Sequence, residues 1–201
     1  MIYDVDNKLV VQRIRESIRV KESMADDSRL IMCISEVSKS IYEIIKRGGV
    51  LYTCGNGGSA SDALHIVGEI VGRFQRERKG FAAVALNADV AAMTAIANDY
   101  GYDYVFSRQV EALLNDKDIL LGISTSGNSK NIIYAFDKAK ELGAKTVLLT
   151  GSRGGVLKDM SDYCIVVPSD NTARIQEGHM CIYHIICEIV ERMLTETGLV
   201  L

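Results

Sequence analysis

The sequence has very little proline: Pro168 is the only one among 201 residues. A proline-rich linker between two domains is therefore excluded, and no repeat or low-complexity segment divides the chain. With 48% hydrophobic residues, a chain of this length can bury one good core. We therefore expect a single domain over residues 1–201.

Cysteine is present, but not in a pattern that supports disulfides or a thiolate metal site. The five cysteines are odd in number, and no two have the C-x-x-C spacing. We expect them to be small core residues of a protein that works in a reducing cytoplasm.

The sequence also lacks a basic excess and an apolar run of membrane length. The formal net charge is −3, which provides no basic field for nucleic acid. The apolar stretch over residues 180–194 is too short to span a bilayer, and it is interrupted by His184, Glu188, Glu191 and Arg192. Residues 1–6 lack the basic and apolar regions of a secretory signal. We therefore expect a cytoplasmic protein with neither a nucleic-acid nor a membrane partner.

The chain does contain a helical start followed by alternating strands and helices. Two apolar stripes with helical spacing occupy the first 48 residues, and the acidic break Asp26-Asp27-Ser28 separates them. Such a helical pair needs a surface to cover, and a neighbouring subunit would provide one. The rest predicts an α/β fold, a three-layer α/β/α sandwich with a five-stranded parallel sheet. Strands are expected at 50–54, 82–86, 119–123, 146–149 and 164–167, and helices near 59–74, 104–114, 131–142 and after 172.

A hydroxyl-rich loop follows the third predicted strand and precedes a helix. It reads Ser124-Thr125-Ser126-Gly127-Asn128-Ser129. Free backbone N–H groups and the positive end of a helix favour an anion at such a place, and hydroxyls can surround phosphate oxygens. A helix cap would need only one of these hydroxyls. We therefore interpret the loop as a phosphate cradle.

A second loop, Gly55-Asn56-Gly57-Gly58-Ser59, follows the first predicted strand. It matches neither the G-x-G-x-x-G nor the Walker pattern, and alone it is equally typical of a tight turn. Ligands of parallel sheets bind at the carboxyl ends of the strands. Together, the two loops predict a ligand with a phosphate and several hydroxyls, such as a sugar phosphate.

Three histidines, His65, His179 and His184, are further candidates for chemistry. His65 lies four residues before Glu69 on one helix face, where the two could bind a divalent metal or act as acid and base. On the last helix, His179 lies three residues after Gln176, whereas His184 lies eight residues after it, a rise of about 12 Å. Spacing alone favours His179 as the partner of Gln176. For both histidines, a functional role and a buried structural role remain open.

Five motifs together resemble the sugar isomerase (SIS) domain family and, within it, the phosphoheptose isomerases, over nearly the whole chain. The motifs are Cys54-Gly55-Asn56-Gly57-Gly58-Ser59, Asp62-x-x-His65-x-x-x-Glu69, Ala97-Asn98-Asp99-Tyr100, Ile123 with the hydroxyl loop, and Arg174-Ile175-Gln176-Glu177. Many SIS domains share the hydroxyl loop, whereas the set formed by His65, Glu69, Gln176 and His184 is much narrower. The resemblance implies a flavodoxin-like SIS domain, with residues 1–48 as a helical extension used in oligomerisation, and a homotetramer.

The resemblance also implies an activity and a site. The expected reaction interconverts sedoheptulose 7-phosphate and D-glycero-D-manno-heptose 7-phosphate, the first step of bacterial nucleotide-activated heptose synthesis, so the expected ligand is a phosphorylated seven-carbon sugar. The expected catalytic pair is Glu69 and His184. One Zn²⁺ per subunit is expected on His65, Glu69, Gln176 and His184. Asp62 is expected to support this set or to contact substrate. The expected substrate-binding residues are Asn56, Gly57, Gly58, Glu69, Asn98, Asp99, Ser124, Thr125, Ser126, Ser129 and Gln176.

Three alternatives to this isomerase remain. One is a non-catalytic SIS-domain regulator that binds the bacterial replication initiator, a protein that lacks residues matching Glu69 and His184. The others are an isomerase of a different phosphosugar, such as arabinose 5-phosphate, and a sugar-phosphate sensor. Because Glu69 and His184 are both present here, site chemistry favours the isomerase.

Overall fold

The computed structural model describes residues 6–196 and confirms the predicted α/β fold. Five parallel strands form one sheet in the order β2-β1-β3-β4-β5. The strands are β1 (Leu51–Gly55), β2 (Ala83–Ala85), β3 (Ile119–Ile123), β4 (Lys145–Gly151) and β5 (Tyr163–Val167). The helices are α1 (Asn7–Asp26), α2 (Ser28–Lys46), α3 (Gly58–Val71), α4 (Val90–Tyr100), α5 (Ser107–Leu113), α6 (Lys130–Glu141), α7 (Gly155–Met160) and α8 (Thr172–Glu196), with a 3₁₀ turn at Tyr102–Tyr104.

The three central strands β1, β3 and β4 are buried on both faces of the sheet, which explains their apolar runs. Successive strand residues point to opposite faces. Leu121 and Leu149 therefore pack under α2, α3 and α8, while Leu120 and Leu148 pack under α5 and α6. The three layers follow directly from this alternation.

The two N-terminal helices differ in how they use their apolar stripes. Asp27 caps α2 as the acidic break predicts, because its side chain accepts hydrogen bonds from the backbone N–H groups of Arg29 and Leu30. Most of the stripe of α2 is buried against the sheet and α8, although Ile31 is exposed. In α1, by contrast, the predicted stripe is 44–57% exposed, at Leu9, Val10, Ile14 and Ile18.

The sequence prediction was wrong in the connection between β2 and β3. It placed one helix near 104–114, where the structure has the shorter α5, but it missed α4 and the 3₁₀ turn. None of the side chains of α4 is buried. Its alanine-rich sequence shows no apolar stripe against a polar face, so periodicity did not reveal it. The short helix α7 was also missed, and α3 ends three residues earlier than predicted.

The two predicted loops lie side by side at the point where the strand order of the sheet reverses, between β1 and β3. β1 and β3 are neighbours, and their last residues Gly55 and Ile123 lie opposite each other. After β1 the chain enters α3 on one face of the sheet, and after β3 it enters α6 on the other face. The diverging connections leave a crevice at this edge, which is the usual ligand site of open parallel sheets.

Among the described residues, no helix combines the length and the apolar composition that crossing a membrane requires.

Candidate active site

The hydroxyl-rich loop between β3 and α6 is a compact turn held by its own side chains. The Ser124 and Ser129 hydroxyl oxygens are 2.9 Å apart, and the Gly127 N–H donates to the Ser124 hydroxyl at 3.2 Å. Gly127 has a φ of +66°, and a Cβ there would lie 1.7 Å from the carbonyl oxygen of Gly154. Only glycine fits this close approach to the loop after β4.

A cavity of about 170 Å³ opens beside this loop, at the ends of β3, β4 and β5 and the first turn of α8. Arg153 supplies a positive charge at its rim, and its Nε is 3.5 Å from an Asp170 carboxylate oxygen. Hydroxyls and a guanidinium are suitable donors for an anion. The lining residues are Thr125, Ser126, Ser152, Arg153, Ser169, Asp170, Thr172 and Ile175.

Sequence reasoning missed the part of this cavity that follows β4. Ser152 comes directly after β4, as Ser124 comes directly after β3. The same signal, a hydroxyl at the carboxyl end of a buried strand, was therefore available for both residues.

The glycine-rich loop after β1 is joined to the start of α6 through Asn56. The side-chain amides of Asn56 and Asn131 exchange two hydrogen bonds of 2.9 Å, and the Tyr102 hydroxyl donates to the Asn56 oxygen at 2.9 Å. Asn131 is buried and was not predicted; its only signal is a polar side chain in the first turn of a helix. The network fixes the orientation of Asn56 between the two loops.

Gln176 lies at the glycine-rich loop, whereas Asn98 and Asp99 lie at the end of α4. The Gln176 amide lies against Gly58, where a Cβ would be 2.7 Å from its Nε2. Asn98 and Asp99 are exposed at the end of α4, and the Asn98 amide donates to the Asp99 carboxylate at 2.8 Å. Tyr102 follows this corner, and its hydroxyl joins the segment after α4 to Asn56 of the glycine-rich loop.

His65, Glu69 and His184 come together where α3 passes α8. Their potential ligand atoms all lie within 4.8 Å of one another. The His65 Nε2 is 2.9 Å from a Glu69 carboxylate oxygen and 3.5 Å from the His184 Nε2. The His65 and Glu69 side chains are 41% and 21% exposed, so the cluster is open to solvent.

These three side chains fit a divalent metal of the zinc type. Bonds of about 2.0–2.1 Å in tetrahedral geometry place two ligand atoms about 3.3 Å apart, which is close to the two distances observed. Two imidazoles and a carboxylate also form a common donor set for Zn²⁺. The Gln176 side chain lies at Gly58. Gly58 lies seven residues before His65 on α3, which is a helical rise of about 10 Å.

Two aromatic side chains that the sequence did not single out surround the histidines. Phe74 stacks on His184, with ring centroids 5.7 Å apart. The Tyr183 hydroxyl lies 2.9 Å from the His65 Nδ1 and 3.4 Å from an Asp62 carboxylate oxygen. Neither residue belongs to a polar motif, so no sequence signal pointed to them.

Burial sets the protonation of the Asp62 and Tyr183 pair. It raises the pKa of the Asp62 carboxyl above its usual value. Burial, and then the nearby Asp62 charge, raises the pKa of Tyr183 as well. The phenol therefore keeps its proton at neutral pH and is available as a hydrogen-bond donor.

His179 occupies a different environment from His184. It is fully buried, its Nε2 lies 3.2 Å from the Thr150 carbonyl oxygen, and burial lowers its pKa to about 4. The structure thus brings His184 to His65 and places His179 in the core beside β4. The spacing favoured His179 as the partner of Gln176 because it compares residues within α8 only. It gives no information on where α3 packs against α8.

The chain is similar in sequence and in fold to known proteins. The SIS domain family model matches residues 15–151. The chain is 55% identical over 152 residues to the phosphoheptose isomerase of Helicobacter pylori (strain P12), an alignment that covers 76% of this chain and 79% of that protein. It is 50% identical over 194 residues to the phosphoheptose isomerase of Roseiflexus sp. (strain RS-1), covering 96% and 97% of the two chains. The solved structure of a phosphoheptose isomerase from Francisella tularensis matches with a TM-score of 0.89 at 39% identity, over 92% of this chain and 97% of that one. This chain therefore belongs to the phosphoheptose isomerase family of SIS-domain proteins.

Proposed function

We propose that this chain is an aldose–ketose isomerase that interconverts sedoheptulose 7-phosphate and D-glycero-D-manno-heptose 7-phosphate. The observation that carries the proposal is the meeting of His65, Glu69 and His184 within 4.8 Å. This cluster lies on two helices, α3 and α8. Helix α3 begins at the glycine-rich loop, and α8 begins at the cavity beside the hydroxyl-rich loop. The relatives named above are phosphoheptose isomerases, which favours this activity over a replication regulator.

In this proposal the substrate phosphate binds in the hydroxyl-rich loop. Hydroxyls and free N–H groups at a helix N-terminus suit a phosphate. The sugar hydroxyls are assigned to Asn56 and Gln176 at the glycine-rich loop and to Asn98 and Asp99 at the end of α4. The proposed substrate-binding residues are Asn56, Gly57, Gly58, Glu69, Asn98, Asp99, Ser124, Thr125, Ser126, Ser129 and Gln176.

The isomerisation requires one proton to leave C1 and one to reach C2, with matching transfers at the two oxygens, and Glu69 and His184 are the proposed acid and base. Starting from the ketose, a base removes a proton from C1, the C1–C2 double bond forms, and O2 takes up a proton. The O1 proton then leaves, the carbonyl forms at C1, and C2 receives a proton. A carboxylate and an imidazole can perform these steps near neutral pH, and the direction of reaction decides which group acts first.

We also propose one Zn²⁺ per subunit on His65, Glu69 and His184, with Gln176 as a fourth ligand. Zn²⁺ bound there would supply Lewis-acid polarisation of the substrate carbonyl. Because the Gln176 side chain lies at Gly58, ligation by Gln176 requires that it lean toward the cluster or come from a neighbouring subunit. Glu69 is unlike the other ligands, since tight ligation competes with its role as a base.

A homotetramer is the assembly that we propose, with the N-terminal helices at an interface. The support is the exposed apolar stripe of α1 and the absence of any buried side chain on α4. Exposed apolar surface of this extent favours association with another protein surface. Multi-angle light scattering tests the proposal: four times the chain mass supports it, and the mass of one chain contradicts it.

The decisive experiment incubates the purified chain with sedoheptulose 7-phosphate and follows the product by NMR, alongside a zinc assay. The variant Glu69→Gln should reduce turnover by roughly 10²–10⁴-fold, the usual contribution of a general acid or base. The control is Glu111→Gln, which changes an exposed glutamate on α5 and should leave turnover unchanged. Near-normal turnover of Glu69→Gln with zinc bound would rule out its acid–base role.

The same assay distinguishes the alternative functions. Turnover of arabinose 5-phosphate, and not of the heptulose phosphate, indicates a different phosphosugar isomerase. Binding of sedoheptulose 7-phosphate without turnover indicates a sensor. If the chain neither binds nor converts sedoheptulose 7-phosphate, the replication regulator is the better interpretation.

A further inference from the structure

Tyr183 precedes His184 on α8, but its hydroxyl lies against His65 on the neighbouring helix α3. We propose that Tyr183, supported by Asp62, is a positioning residue that fixes the ring and the tautomer of His65 so that its Nε2 is free for a divalent metal ion. This inference rests on the zinc site of the proposed function. It concerns two residues that would not touch the metal themselves.

The contacts place Tyr183 between the other two side chains. Its hydroxyl is 2.9 Å from the His65 Nδ1 and 3.4 Å from an Asp62 carboxylate oxygen. The Tyr183 and His65 rings meet edge to face, with centroids 5.3 Å apart. Tyr183 is 1% exposed, so packing holds the phenol in this position.

The single hydroxyl proton couples the tautomer of His65 to Asp62. If Tyr183 donates to the Asp62 carboxylate, its oxygen accepts the Nδ1–H of His65, and the Nε2 of the neutral ring keeps its lone pair. If Tyr183 donates to Nδ1 instead, the proton of His65 lies on Nε2, which then cannot bind a metal. The first arrangement leaves Nε2 directed at Glu69 and His184.

Asp62 favours the first arrangement. A carboxylate offers acceptors only, and within residues 6–196 the second Asp62 oxygen is buried without a hydrogen-bond partner. The proton of Tyr183 is thus the donor that Asp62 has available. Hydrogen bonds of this kind orient metal-binding histidines, and losing one typically weakens metal binding about 10–100-fold.

Tyr52 provides a control because it is also a buried tyrosine whose hydroxyl makes a hydrogen bond. Its hydroxyl donates to the Leu113 carbonyl oxygen at 3.2 Å, and its ring packs on the opposite face of the sheet from α3 and α8. Tyr52→Phe therefore removes a comparable hydrogen bond without touching the histidines.

The experiment measures Zn²⁺ affinity by competition with a chromophoric chelator, together with thermal unfolding in the absence of metal. Tyr183→Phe should weaken Zn²⁺ binding about 10–100-fold, and Tyr52→Phe should leave it unchanged. Both variants should lower the unfolding midpoint, because each removes the hydrogen bonds of a buried hydroxyl. In the zinc-bound wild-type chain, ¹⁵N NMR should place the His65 proton on Nδ1. If Tyr183→Phe does not fold, Asp62→Leu makes the same test, because it removes the acceptor and keeps the phenol.

Wild-type affinity in Tyr183→Phe, an equal loss of affinity in both tyrosine variants, a His65 proton on Nε2, or a wild-type chain that binds no Zn²⁺ would each overturn the inference. Zinc affinity is measured without substrate, so this outcome is separate from the isomerase assay. If zinc affinity depends on Tyr183 as expected, but the chain does not isomerise the heptulose phosphate, only the proposed activity is refuted.

Discussion

Replacing Glu191 by alanine tests a buried ion pair that joins α8 to the end of α3. The Glu191 carboxylate accepts the Arg78 Nε–H at 2.9 Å and the backbone N–H groups of Phe74, Gln75 and Arg76 at 2.8–3.0 Å. The Arg78 and Glu191 side chains are 0% and 2% exposed. Burial alone would raise the pKa of Glu191, but the three N–H groups and the Arg78 charge hold it below its usual value.

Arg78 ties the same carboxylate to the helix that carries the site. Its guanidinium donates to the carbonyl oxygens of Glu69, Ile70, Gly72 and Lys79 at 2.8–3.1 Å. These include carbonyls of the last turns of α3, which have no partner within the helix. The Arg78–Glu191 pair therefore fixes the position of α3 relative to α8, where Glu69 and His184 meet.

The expected cost of Glu191→Ala follows from what it leaves behind. The guanidinium becomes a buried charge without its partner, and three backbone N–H groups lose their acceptor. Breaking a buried pair in this way costs about 3–5 kcal/mol, which for a chain of this size corresponds to a fall in Tm of roughly 6–20 °C. Because the released segment carries Phe74, which stacks on His184, turnover should fall as well.

Urea unfolding of Glu191→Ala, with Glu188→Ala as the control, measures this cost. Glu188 is exposed on the same helix, so its variant should stay within about 0.5 kcal/mol of wild type. The double variant Arg78→Met with Glu191→Leu should lose less than the sum of the single losses, because no buried charge remains. A loss of unfolding free energy below about 1 kcal/mol for Glu191→Ala would refute the reasoning, since a buried guanidinium without its partner should destabilise the fold by more than this.

Two further predictions concern a core histidine and a loop glycine. The pKa of His179 is lowered to about 4 from 6.5. Above pH 6.5 this histidine is neutral in both the folded and the unfolded chain, so it does not change the stability. Below pH 6.5 the unfolded chain binds the proton first, and about 3 kcal/mol of stability is lost by pH 4. His179→Gln should flatten this part of the pH profile of urea unfolding, and an unchanged slope between pH 6.5 and 4 contradicts the assignment. Gly127→Ala should lower stability and raise KM for sedoheptulose 7-phosphate, because its Cβ would meet the Gly154 carbonyl. Gly101→Ala is the control, since Gly101 has a φ of +94° but no atom within 4 Å, and equal behaviour of the two variants would show that the predicted clash is absent.

Much of the fold could be predicted from the sequence because strands buried on both faces must be apolar throughout. The loop after β3 was recognisable for a related reason: several hydroxyls at a strand end exceed what a helix cap needs. Helix α4 was not recognisable, since a helix with no buried side chain in the described chain needs no apolar stripe facing the sheet. Periodicity detects a helix by the apolar face that packs on the rest of the chain, and among the described residues α4 buries no such face.

The choice between His179 and His184 shows why the site was harder to predict than the fold. At 100° per residue, His179 and Tyr183 share one face of α8, and both are buried. His184 lies about 100° further round, at the edge of the buried face, where it is partly exposed and meets His65 on α3. Spacing within α8 describes which residues share a face, but whether a face meets solvent or another helix depends on how α3 and α8 pack. The resemblance to a family selected His184 because a family motif records the outcome of that packing, which the spacing of one helix does not contain.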